Sequence, residues 1–206
     1  MNSTDFLKLY LVSDRDCLRG DFITTITEAV RGGVSVVQLR EKYISDEEFV
    51  ELGKKIKKCL ADTDIPLIIN DRVGLVKEIG AEGVHLGQTD MGVEEARRLL
   101  GESAIIGLSV ENEEQTLLSN QQDVNYVAVS PVFSTTTKTD TAPAVGIVGL
   151  RRIVELASHP VIGIGGINEG NIKDVMSTGA CGVAVVSAIM GATDPCSAAQ
   201  RLKMYL

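Results

Sequence analysis

In the stretch VSVVQLREK, residues 34–42, a run of valines ends in three polar side chains, Gln38, Arg40 and Lys42, spaced two apart. Alternate residues of a strand share a face, so Val34, Val36, Gln38, Arg40 and Lys42 line up on one side and Val37, Leu39 and Glu41 on the other. Two cations on one face of a core strand repel when dry, and burying either alone is costly. A diphosphate would offset both, with Arg40 supplying a bidentate fork and Lys42 a point charge. The same stretch also reads as a strand that ends early, leaving Arg40 and Lys42 as solvated loop charges paired with Glu41.

Asp71 and Asp90 are the next candidates. Asp71 follows the short apolar run LIIN, and Asp90 closes the block GVHLGQTD, which opens as a strand-like run. If those runs are adjacent parallel strands, their axes lie ~4.8 Å apart and both carboxylates can face one point. Mg²⁺ is commonly held by one or two carboxylates together with substrate phosphates. Two acids opposite an arginine and a lysine therefore suggest a metal–diphosphate site. Taken singly, Asp71 also reads as a helix cap and Asp90 as a turn residue.

A third group is rich in glycine and hydroxyls. GIGGI (163–167) and Val186-Ser187 suit a phosphate held by backbone N–H groups, since glycine lets the oxygens approach. The loop STTTK (134–138) is long enough to order over a substrate. Two histidines are weaker candidates: His159 precedes Pro160 at the start of a strand, and His85 lies within one as a packed or supporting residue. No cysteine or serine has a base beside it in sequence, and a reaction needing no protein nucleophile suits this inventory.

These residues need a scaffold that gathers strand ends. Val- and Ile-rich runs at about 8–13, 34–40, 66–70, 83–86, 104–108, 125–130, 160–164 and 182–186 predict eight strands, each followed by an amphipathic stretch. In SDEEFVELGKKIKKCLADT, Ser45 and Glu48 form a capping box and Phe49, Leu52, Ile56, Cys59 and Leu60 a stripe at helical spacing. A helix over about 193–205 opens with Asp194 and Pro195 in the cap and first-turn positions. Eight strand–helix units in 206 residues predict an α/β protein, a single (β/α)8 barrel spanning 1–206 as one domain. An open doubly wound sheet uses the same alternation. In a barrel the active site lies at the C-terminal ends of the strands, where the polar residues above fall.

Composition fits a folded, non-membrane, reduced protein. Apolar residues make up 44% of the chain, with 20 glycines. A net charge of −8 and the lack of a basic run argue against a nucleic-acid partner. Cys17, Cys59, Cys181 and Cys196 form no CxxC pair, so neither a disulfide frame nor a zinc site is expected. The N-terminus does not read as a signal peptide, and GVAVVSAIMGA is too short for a span. A cytoplasmic protein with small-molecule partners is the expectation, and the oligomeric state is left open.

The ordered blocks VQLREK, INDR, GVHLGQTD, IGLS, YVAVSPVFSTTTK, GIGGI and GVAVVSAI resemble the thiamine-phosphate synthase (thiamine-phosphate pyrophosphorylase) family from the second strand to the eighth. The block TDTAPAVGIVG after Lys138 matches less clearly. The resemblance implies a barrel joining hydroxymethylpyrimidine diphosphate to a thiazole phosphate, giving thiamine phosphate and diphosphate. It implies that Gln38, Leu39, Arg40, Glu41, Lys42, Asn70, Ser109 and Lys138 bind the pyrimidine diphosphate, with Arg40, Lys42 and Lys138 catalytic. Thr135, Thr136, Thr137, Gly166, Val186 and Ser187 would bind the thiazole phosphate, and Asp71 and Asp90 one Mg²⁺ per site. The related thiazole tautomerase, an isomerase, is expected to carry a histidine near the sixth strand end, where this chain has Ser130-Pro131. A non-catalytic precursor binder on the same barrel is a third reading.

Overall fold

In the computed structural model, which describes residues 4–135 and 142–206, eight short parallel strands close on themselves in chain order. They are β1 (Leu9–Val12), β2 (Val36–Leu39), β3 (Leu67–Asn70), β4 (Gly83–Leu86), β5 (Ile105–Val110), β6 (Tyr126–Val129), β7 (Val161–Ile164) and β8 (Gly182–Val185). The closing seam pairs Tyr10 of β1 with Ala184 of β8, so no edge is left open. The helices that return the chain are α1 (Phe22–Arg31), α2 (Asp46–Leu60), α3 (Val76–Ile79), α4 (Val93–Leu100), α5 (Glu113–Ser119), α6 (Gly146–Leu156), α7 (Ile172–Met176) and α8 (Ser187–Met190), followed by α9 (Pro195–Lys203). The barrel, not the open sheet, is the architecture.

Both faces of each strand are covered, which explains why the strands read as unbroken apolar runs. Outward residues such as Leu11, Val37, Leu39, Ile69, Val84 and Val127 join the layer beneath the helices. Inward residues form a smaller cluster of Leu7, Tyr10, Val12, Val36, Ile68, Tyr126, Ala128, Ile162 and Ala184. The helix starts follow the sequence signals: the Ser45–Glu48 capping box forms, and Asp194 caps α9 with Pro195 in its first turn. Among the described residues, no helix is long and apolar enough to cross a membrane.

Candidate active site

The C-terminal strand ends surround a cavity of about 450 Å³ that reaches down to Tyr10. Gln38, Arg40, Lys42, Asn70, Asp71, Asp90, Ser109, Thr135, Gly166, Val186 and Ser187 all line it. Thr136, Thr137 and Lys138 lie outside the described residues. Leu39 and Glu41 do not line it, although both belong to the expected pyrimidine-diphosphate set. Leu39 is fully buried in the outer layer, as strand alternation requires. Glu41 lies 3.2 Å from Arg15, and burial raises its carboxyl above the usual range, with Arg15 opposing the shift.

β2 ends at Leu39, so the early-ending reading of VSVVQLREK is correct about the strand. Arg40 pairs with Asp14 rather than with Glu41, and both Arg40 and the exposed Lys42 line the cavity. Arg40 is fixed by a partner that the sequence did not reveal. Its Nη1 donates to Asp14 Oδ2 at 2.5 Å, and its backbone N–H donates to Ser13 Oγ at 3.1 Å. Asp14 is buried just beyond β1. One side of the guanidinium is thus anchored and held at the cavity wall.

The segment carrying Lys42 is clamped by Arg72. Its guanidinium donates to the Glu41 carbonyl (3.2 Å), the Ile44 carbonyl (2.9 Å) and Asp46 Oδ1 (2.7 Å). It also lies 4.5 Å from the centre of the Phe49 ring. Arg72 directly follows Asp71, so the turn after β3 presents a carboxylate and braces the neighbouring cationic loop.

Asp71 has a left-handed backbone, with φ 60°, which is unusual for a residue with a side chain. It caps no helix: the short 3₁₀ turn Val73–Leu75 has Arg72 at its cap and no side-chain bond there. Instead its carboxyl meets that of Asp90. Burial first, then the contact with Asp90, raises its pKa from 3.8 to about 6, against the pull of the Asn70 side chain and the Lys42 charge. Asp90 does serve as a turn residue, its Oδ2 accepting from Gly87 N–H at 2.7 Å, while also facing Asp71. Two touching carboxyls need a proton or a cation between them. Hard oxygen donors on this scale fit Mg²⁺, and two such ligands suit a metal that keeps waters and phosphate oxygens. Among the described residues, no group of three or more His, Cys, Asp or Glu side chains gathers into a metal site.

Across the mouth, Gly166 has φ 64°, and a side chain there would collide with the Ser134 carbonyl and with Phe133. Its own carbonyl accepts from Asn171 Nδ2 at 2.9 Å and Asn168 Nδ2 at 3.2 Å, which fixes the turn after β7. The cavity floor is a chain of hydrogen bonds between side chains. It runs from Gln38 to Tyr10 (2.8 Å), Tyr126 (2.8 Å), His85 (3.0 Å) and Ser109 (2.9 Å). Sequence reasoning left out both tyrosines. Their polar tips on inward positions were the available signal, since a buried phenol needs a partner. His159 sits at the far end of the barrel, bonded to the Ser119 carbonyl at 3.0 Å.

A parallel barrel whose strand ends gather two cations, two acids and a glycine turn around one cavity has the make-up of a (β/α)8 enzyme. Comparison narrows this further. Residues 9–189 match the model of the thiamine monophosphate synthase family, and the chain belongs to that family. It is 47% identical to the thiamine-phosphate synthase of Albidiferax ferrireducens, covering 97% of this chain and 92% of that one. It is 49% identical to that of Leptospira biflexa, covering 95% of each. Among solved structures, the thiamine phosphate pyrophosphorylase from Pyrococcus furiosus superposes with a TM-score of 0.90 at 35% identity, covering 99% of this chain and 97% of that one. A 3-hexulose-6-phosphate synthase from Salmonella typhimurium, with a TM-score of 0.77 at 19% identity, shares the fold.

Proposed function

We infer that this chain is a thiamine-phosphate synthase, a transferase of thiamine biosynthesis. It joins 4-amino-2-methyl-5-(diphosphooxymethyl)pyrimidine to 4-methyl-5-(2-phosphoethyl)thiazole, or its carboxylated form, and releases diphosphate, together with CO₂ when the thiazole is carboxylated. The observation that carries this reading, beside the family match, is that Arg40 and Lys42 share one cavity with the touching pair Asp71 and Asp90.

The chemistry proposed is dissociative. The bond between the pyrimidine methylene carbon and the diphosphate oxygen breaks, and its electron pair leaves with diphosphate. The aminopyrimidine stabilises the methylene cation, and the thiazole nitrogen then donates its pair to form the new C–N bond. Such a step asks for leaving-group stabilisation and positioning rather than a basic side chain. Arg40 and Lys42 meet the growing negative charge, while Gln38, Asn70 and Ser109 contact the pyrimidine diphosphate. Thr135, Thr136, Thr137, Gly166, Val186 and Ser187 hold the thiazole phosphate. Asp71 and Asp90 would hold one Mg²⁺, which when bound neutralises diphosphate charge. The resemblance adds Lys138 as a further cation on the leaving group, and Lys138→Ala is expected to lower kcat strongly.

Incubating the purified protein with both substrates and Mg²⁺, then measuring diphosphate release and thiamine phosphate formation, tests the activity. Both products should accumulate together. Unchanged substrates would overturn the assignment.

A further inference from the structure

The hydrogen-bond chain beneath the cavity has a direction. Gln38 Nε2 can only donate, and it gives its proton to the Tyr10 hydroxyl. The Tyr10 proton then needs an acceptor within a site that is 1% exposed, and the Tyr126 hydroxyl at 2.8 Å supplies it. Tyr126 is 0% exposed and, once it accepts from Tyr10, has His85 Nδ1 at 3.0 Å as the acceptor for its own proton. A neutral imidazole that accepts at Nδ1 carries its hydrogen on Nε2, and Nε2 faces Ser109 Oγ. The Ser109 proton is left to face the cavity. Between Gln38 at one end and Ser109 at the other, Tyr10, Tyr126 and His85 each donate once and accept once, so no buried phenol proton lacks a partner. Burial also raises both phenols above their usual pKa, which keeps their protons in place.

We propose that Tyr126 is a positioning residue: through a one-way chain from the Gln38 amide, it holds His85 as the Nε2–H tautomer and makes Ser109 a hydrogen-bond donor into the cavity. Tyr126 does not line the cavity, so its effect passes through His85. Gly107 makes the arrangement possible, because a methyl there would overlap the Tyr126 ring and hydroxyl and crowd His85 Nδ1. The consequence for ligand binding rests on the reading of the cavity as a diphosphate site. Phosphate oxygens are acceptors, so a hydroxyl proton attracts them and a lone pair repels them. The opposite direction, with the Gln38 amide rotated by half a turn, would present Ser109 to the anion the wrong way round.

The chain has two histidines, and His159→Gln leaves His85 as the sole reporter in protein labelled with ¹⁵N-histidine. Nitrogen NMR distinguishes a bare ring nitrogen from one bearing hydrogen. The expected result is a bare Nδ1 and a protonated Nε2. Gln38→Glu replaces the terminal donor with an acceptor and should reverse the assignment, while Tyr126→Phe should yield a mixture of tautomers. Kinetically, Tyr126→Phe should raise KM for the diphosphate substrate roughly tenfold, the size of one hydrogen bond to a charged group, with a smaller change in kcat. A protonated Nδ1 in the otherwise native protein, or an unchanged spectrum in Gln38→Glu, would overturn the proposal. The expected tautomer with an unchanged KM would overturn its link to ligand binding. Absence of turnover in the unsubstituted protein would instead refute the assigned function, so the failures are distinguishable.

Discussion

Asp71 carries two costs: a left-handed backbone and a carboxyl pressed against Asp90. A non-glycine residue in that backbone region costs roughly 1–2 kcal/mol, so the surrounding contacts must hold it there. Because the folded pKa of about 6 lies above the ordinary 3.8, the favourable contribution of this group is full at low pH. It is lost as pH rises through about 6, where both acids become charged. A divalent cation relieves that repulsion and competes with the proton. Added Mg²⁺ should therefore raise Tm clearly near pH 8 and little near pH 5, with Asp71→Asn abolishing the difference in a thermal-shift series. A pH-independent Mg²⁺ shift would contradict this account. Gly107 is the second revealing residue. Gly107→Ala should destabilise the fold by roughly 1–3 kcal/mol through overpacking, measured by denaturant unfolding.

At the scale of elements, the segment between β2 and α2 decides where Lys42 sits. Arg72 holds two of its carbonyls, and the capping box fixes its far end. Arg72→Met should raise KM for the diphosphate substrate roughly tenfold or more, since misplacing a binding group by an ångström costs up to about a hundredfold. Ser45→Ala should cost about 1 kcal/mol of stability with little effect on KM, because it loosens a helix start rather than the guanidinium clamp. Steady-state kinetics beside unfolding curves would separate the two. The elements themselves were legible in the sequence. LYLV, VVQL and LIIN announce buried strands through continuous β-branched and leucine runs, and Ser45 with Glu48 marks a helix start by itself. The partners were not legible. Arg40 reaches Asp14 across 26 residues, and Tyr10 reaches Tyr126 across 116. No local pattern encodes such pairs; barrel closure creates them.

For the whole molecule, the closed barrel turns eight separate strand ends into one concave surface, and its register sets which side chains meet. Asn70 stands level with His85, and Gly107 with Tyr126. Strand alternation explains why Gln38 lines the cavity and Leu39 does not. Gln38 points inward and Leu39 outward, while the strand stops before Arg40, so Glu41 turns to Arg15. The central claim is that the cations and the acid pair act on one metal–diphosphate unit. Calorimetric titration of inorganic diphosphate into the protein, with and without Mg²⁺, tests it most directly. The account predicts tight binding only with Mg²⁺, and loss of that dependence in Asp71→Asn. Equal affinity with and without the metal would contradict it.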